Sequence, residues 1–153
     1  MKGFRPITNP MLTGAMELMK SSDTIEHREM FVGEMLHAKF LSPVVIDPLP
    51  EADENGISKI AKDARIQLPM LTAPDGKHFF MAFTDLDELQ KWNKEGGQQI
   101  FGFDFADYVG MIRNAKDTCN GFVINPYSHN VVLPSEFVEA IAEKNPNIFK
   151  ERK

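Results

Sequence analysis

"RIQLPMLTAPDGKHFFMAFT", residues 65–84, reads as strand, turn and strand. Asp75-Gly76 supplies the turn, because Gly accepts the positive φ that a tight hairpin requires. In the second strand Phe79, Met81 and Phe83 point one way, and Phe80 and Ala82 point the other. A strand with one solvated face alternates apolar and polar residues, whereas this one is apolar on both faces. It is therefore expected near the centre of a sheet that is covered on both sides.

Outward from that strand, helices and strands alternate. Thr84 with Asp87 is expected to cap a helix whose Leu86 and Leu89 face inward, and Gly96-Gly97 to end it. "QQIFGFD" (98–104) reads as another buried strand. Asp104, with Asp107 three residues on, opens a helix that carries Phe105, Val109 and Ile112 at i, i+4 and i+7. A last helix runs from about Pro134, with Phe137, Val138 and Ile141 inward. Upstream, "SPVVIDPLP" (42–50) is a β-branched strand ended by prolines, and the acidic stretch 51–64 reads as an exposed loop.

Before these lies a helical pair. Asn9-Pro10 opens the first helix as cap and first helical residue, followed by Leu12, Ala15, Met16 and Met19. Asp23 with Glu26 resembles a capping box for the second, which runs to about Lys39 with Ile25, Val32, Met35 and Leu36 as its apolar stripe. Met1, Met11, Met16 and Met19 could form an adaptable partner surface, but packing on the domain's own sheet is the simpler reading. The expected fold is α/β (α+β): one domain over residues 1–153, five main helices, and a mixed sheet of about six strands.

Composition narrows the function. A chain of 153 residues can bury roughly two-thirds of its unfolded surface as a single domain. The net charge of −5 lacks the concentrated basic surface that nucleic acid binding needs. No apolar stretch has the length of a membrane span or a secretory signal, so a cytoplasmic protein is expected. A single cysteine, Cys119, excludes an intramolecular disulfide framework and a multi-cysteine metal site.

Catalytic templates find little support. Glu34-x-x-His37 has di-iron spacing, but no second such pair accompanies it, and His27-Arg28-Glu29 lacks the cysteine half of a zinc-deaminase signature. There is no Gly-x-Ser-x-Gly elbow, no Gly-x-Gly-x-x-Gly and no phosphate-binding lysine loop. Cys119 and His129 lie at opposite ends of a short segment, a poor geometry for a nucleophile and its base. His78 reads as a partnered, half-buried histidine and Trp92 as a core-edge aromatic. Asp85, Asp87 and Glu88 suit the first turn of their helix, where negative charge meets the positive end of the dipole. Neither a metal nor an organic cofactor is expected.

Two stretches together carry a resemblance. "LPMLTAPDGKHFFMAFTDLDELQKW" (68–92) followed by "GFVINPYSHNVVLPSEF" (121–137) resembles the N-terminal domain of SseB-type proteins, named for enhanced serine sensitivity. The shared features are Pro69 before the Asp75-Gly76 turn, Phe83-Thr84 entering a helix, and Gly121 to Pro126 ahead of Val132-Leu133-Pro134. The resemblance spans about residues 35–142, leaving residues 1–34 as an N-terminal helical extension. It implies an α/β domain of unassigned biochemistry with no catalytic residues to carry across. Many relatives have a further C-terminal domain, for which this chain is expected to be too short.

Within the second stretch, Phe122-Val123-Ile124 and Val131-Val132-Leu133 read as strands of a hairpin. Asn125-Pro126 suits the first two positions of a type I turn, with the Asn side chain bonding backbone two residues on. Tyr127, Ser128, His129 and Asn130 then fall on an exposed loop. The preferred function is a non-catalytic module that binds a protein partner or small ligand in a cleft beside residues 125–130. Its candidate contacts are Asn125, Tyr127, Ser128, His129, Asp104 and Tyr108, with no catalytic residue among them. The alternative is a small enzyme whose site is assembled from Asp104, Tyr108 and His129. A deep pocket with convergent polar groups would favour the enzyme. Ligand, partner and oligomeric state, a homodimer included, stay open.

Overall fold

A computed structural model describes residues 7–47, 65–94 and 99–150. The expectations for residues 51–64 and Gly96-Gly97 lie outside these residues. The elements, in order, are helices α1 (Pro10–Ser21) and α2 (Ile25–His37), strands β1 (Phe40–Asp47), β2 (Arg65–Gln67), β3 (Met70–Thr72) and β4 (His78–Ala82), and helix α3 (Leu86–Trp92). Then come β5 (Gln99–Phe103), α4 (Phe105–Asn114), β6 (Gly121–Ile124), β7 (Val131–Pro134), α5 (Ser135–Lys144) and α6 (Asn147–Lys150).

The fold is mixed α+β, and its seven described strands fall into two sheets. One is antiparallel with order β2-β1-β5; the other has order β3-β4-β6-β7, with β4 and β6 parallel. Among the described residues the two meet at one isolated bridge, where Leu41 and Phe83 exchange backbone hydrogen bonds of 2.8 and 2.9 Å. "RIQLPML" is thus not one strand. It breaks at Leu68-Pro69, and its first half pairs with β1 while its second half pairs with β4. Proline cannot donate a ladder hydrogen bond, so a switch between sheets is well placed there.

β4 holds the central position its sequence implies. Phe80 and Ala82 face the main core, which is completed by Leu12 and Met16 of α1, Phe31 and Met35 of α2, and residues of α4 and α5. Met81 faces the other way and, with Phe83 beyond it, packs with Leu89, Leu41, Trp92 and Ile100. Because α1 and α2 supply fully buried core residues, they are part of the domain rather than an appendage to it. Met16 is in that core, although Met11 stays exposed.

Several local expectations need correction. Thr24, not Asp23, caps α2 by accepting the His27 N–H; Asp23 instead pairs with Arg28 at 2.6 Å. Asp85, not Thr84, caps α3 by accepting the Glu88 N–H. The Asp104–Asp107 capping box of α4 is present in full. Ile25, Leu86 and Phe137 are exposed, and β5 is only partly buried. Each of these three apolar residues sits in the first turn of its helix. Helical side chains lean toward the N-terminus, so first-turn residues project past the end of the helix and beyond the core.

Among the described residues, no helix is long and apolar enough to cross a membrane.

Candidate functional site

The β6–β7 connection begins at Asn125, whose backbone is left-handed at φ +50°. Asn tolerates that region better than most residues. Its carbonyl accepts from Ser128 N–H at 3.0 Å, closing a turn with Pro126 in second position, and from Asn130 N–H at 2.8 Å. The turn therefore starts where the sequence places it.

The Asn125 side chain does something else. It is 0 % exposed and points into the protein. Its Oδ1 accepts the Thr84 backbone N–H at 3.0 Å, and its Nδ2 donates to Thr84 Oγ1 at 2.9 Å. Thr84 Oγ1 donates onward to Asp85 Oδ2 at 3.1 Å. Asn9 joins them, its Nδ2 lying 2.8 Å from Thr84 O and 2.9 Å from Lys39 O. The predicted cap Asn9 makes no side-chain cap bond to its own helix. Asn9, Thr84 and Asn125 form a polar hub that ties together the start of α1, the residues preceding β1, the β4–α3 junction and the turn.

A buried N–H left without a partner costs about 1–3 kcal/mol, and a non-glycine residue other than Asn or Asp in a left-handed conformation costs about 1–2 kcal/mol more. Asn125→Ala should lower stability by about 2–5 kcal/mol, and Asn125→Gly by less, because Gly avoids the backbone term. A urea titration of the two variants checks both the loss and its order.

The remaining turn residues divide. Tyr127 is exposed at 54 %, and Ser128 and Asn130 are exposed as well. The His129 side chain keeps only 13 % exposure, contrary to its expected place on an open loop. His129 Nδ1 lies 3.1 Å from Asn125 Nδ2 and from Ser128 Oγ, and Nε2 lies 3.2 Å from Glu17 Oε2 on α1. Ser128 Oγ donates to Glu88 Oε1 at 2.6 Å. Burial raises the Glu88 carboxyl, but hydrogen bonds from Lys91 and Ser128 outweigh it and hold the group below its ordinary value. The stabilisation from Glu88 is thus present above its unfolded value and is lost as pH falls through its lowered folded value.

Asp104, Tyr108 and His129 do not form one site. Asp104 caps α4. Tyr108 is 0 % exposed, stacked on Phe122 at 4.6 Å, and donates its hydroxyl to Met81 O at 2.8 Å. Burial pushes its phenol far above the usual range, so it stays a neutral donor. Cys119 is buried, donates to Gly121 O at 3.1 Å, and has its thiol pushed up by that burial. His78 is half-buried against Thr72 Oγ1 at 2.9 Å, and His37 Nδ1 lies 2.9 Å from Gly33 O in its own helix. Among the described residues no group of three His, Cys, Asp or Glu side chains is placed to hold a metal ion.

Beside the turn lies a groove of about 330 Å³. Its floor is the face of the four-stranded sheet opposite the main core, with Leu71 and Phe79 paired across β3 and β4, and Val123 and Val132 across β6 and β7. Farther along that face, Leu89 and Trp92 of α3 pack on Met81 and Phe83. A seven-residue helix is only about 10 Å long, so it covers one end of the sheet and leaves the other. Pro74 stands on one wall; Pro126 and Tyr127 stand on the other. No charged side chain is among the described lining residues. A cleft between α4 and α5, about 380 Å³, is charged by contrast, and there Arg113 and Glu139 neutralise each other at 2.7 Å.

A family model described as SseB protein N-terminal domain matches residues 12–140. That match starts inside α1 rather than near residue 35, in keeping with the place of both N-terminal helices in the core. Comparison with curated proteins and with solved structures found no match.

Proposed function

This chain belongs to the family of SseB N-terminal domains, and from that premise we propose that it is a non-catalytic binding module for a partner protein. The partner's apolar side chains enter the groove beside the Asn125–Asn130 turn. The observation that carries this reading is the uncharged groove itself, with Val132 exposed at 45 % and Tyr127 at its rim. A site for a small polar substrate brings a few convergent polar groups into an enclosed pocket. Among the described lining residues, only Thr72, Asn130 and Tyr127 bring polar side chains to this groove. Protein interfaces, in contrast, are enriched in exposed tyrosine over an apolar centre. Prolines on both walls favour the same reading, because a stiff groove loses little freedom on binding.

Tyr127→Ala should leave stability within about 0.5 kcal/mol of the parent, as expected for an exposed side chain. Val132→Asp places a charge in the groove and should weaken partner binding at least tenfold, which corresponds to about 1.4 kcal/mol. The test compares proteins co-purified with the parent chain, with folded Tyr127→Ala and with folded Val132→Asp, quantified by mass spectrometry. Selective loss of the same proteins from both variants supports the module. Equal recovery with all three chains contradicts it.

A further inference from the structure

We infer that His129 is a protonation-sensitive latch, holding the buried Asn125 amide when neutral and releasing it when the ring takes a second proton. The orientation of that amide is fixed by its other contacts. Oδ1 accepts the Thr84 N–H at 3.0 Å and Nδ2 donates to Thr84 Oγ1 at 2.9 Å, so a flipped amide would set N–H against N–H. The second Nδ2 hydrogen faces His129 Nδ1 at 3.1 Å. Nδ1 must accept it, so the ring's own proton sits on Nε2 and donates to Glu17 Oε2 at 3.2 Å.

A proton arriving at Nδ1 changes this contact from donor–acceptor to donor–donor. The new N–H has another acceptor within reach. Ser128 Oγ lies 3.1 Å from Nδ1, and because its hydrogen goes to Glu88 Oε1 at 2.6 Å, its lone pairs can accept. Among the described residues, the charged groups joined to the ring or to its partners are Glu17 at 3.2 Å, Lys20 with Nζ 3.4 Å from Ser128 O, Glu88 on Ser128 Oγ, Lys91 paired with Glu88, and Asp85 on Thr84 Oγ1. Acidification thus moves the histidine's hold from the buried amide to the exposed hydroxyl, and the turn that presents Tyr127 loses one tie to the hub. This holds whatever occupies the groove, since the exchange needs no partner.

Nuclear magnetic resonance of the labelled full chain, titrated from pH 8 to pH 5 without any ligand, tests it. At pH 8 the His129 ring should be the Nε2–H tautomer. The Asn125 side-chain amide pair and the Thr84 backbone amide should then shift with the same midpoint as the His129 ring. In His129→Gln, a glutamine oxygen can accept from Asn125 but cannot take up a proton, so this response should vanish while the spectrum stays folded. An Nδ1–H tautomer at pH 8, an Asn125 pair unmoved through the His129 titration, or a response that persists in His129→Gln would each overturn the latch.

Discussion

Gly121→Ala should remove at least about 3 kcal/mol of stability and lower the melting temperature by about 10 °C in a thermal melt. Gly121 holds φ at +142°, where side-chain-bearing residues are strained. A Cβ there would lie 2.1 Å from the Leu133 carbonyl oxygen and 3.0 Å from Pro134 Cα. Both atoms are backbone of β7, so no side-chain rotation relieves the overlap. The strands must separate, and the Phe122–Leu133 pairing at the centre of the main core goes with them. Gly14 provides the contrast. It lies inside α1 with open space around its Cβ position, so Gly14→Ala should stabilise by about 0.5–1 kcal/mol through helix propensity alone.

Tyr108→Ala should cost about 3–5 kcal/mol, the range for emptying a buried aromatic site. Its ring is stacked on Phe122 and meets Phe40 and Phe103 edge-on at 6.0 and 5.9 Å. The ring, not the hydroxyl, carries most of this. Tyr108→Phe should cost only about 1 kcal/mol, the net value of its hydrogen bond to Met81 O. Denaturant titration of the pair separates the two contributions. A Tyr108→Ala variant as stable as the parent would contradict a core role and return Tyr108 to the candidate site.

What was legible in the sequence is what neighbouring residues decide among themselves. The Asp75-Gly76 turn, the Asp104–Asp107 capping box and the two-faced β4 are all set within a few residues, and the structure contains them. The hub was not legible, because its members lie far apart: Asn125 is 41 residues from Thr84, and Asn9 is 75. Turn propensity marks Asn125 as a turn former, but it does not say whether the amide bonds the turn or points inward. His129 is similar. Its partner Glu17 is 112 residues away, and only the packing of α1 against the turn converts an exposed-looking histidine into a half-buried one. The groove depended on how far α3 reaches. Helical periodicity gave its direction but not its coverage of the sheet.

Whether the groove is where a partner protein docks is tested most directly by a site-specific photocrosslink in living cells. A benzophenone side chain would replace Tyr127 in one chain and Met11, exposed on α1, in another. Docking in the groove gives discrete protein adducts from position 127 that are absent from position 11 and disappear when Val132→Asp is added. Adducts of small-molecule mass, identical adducts from both positions, or none from position 127 would contradict it.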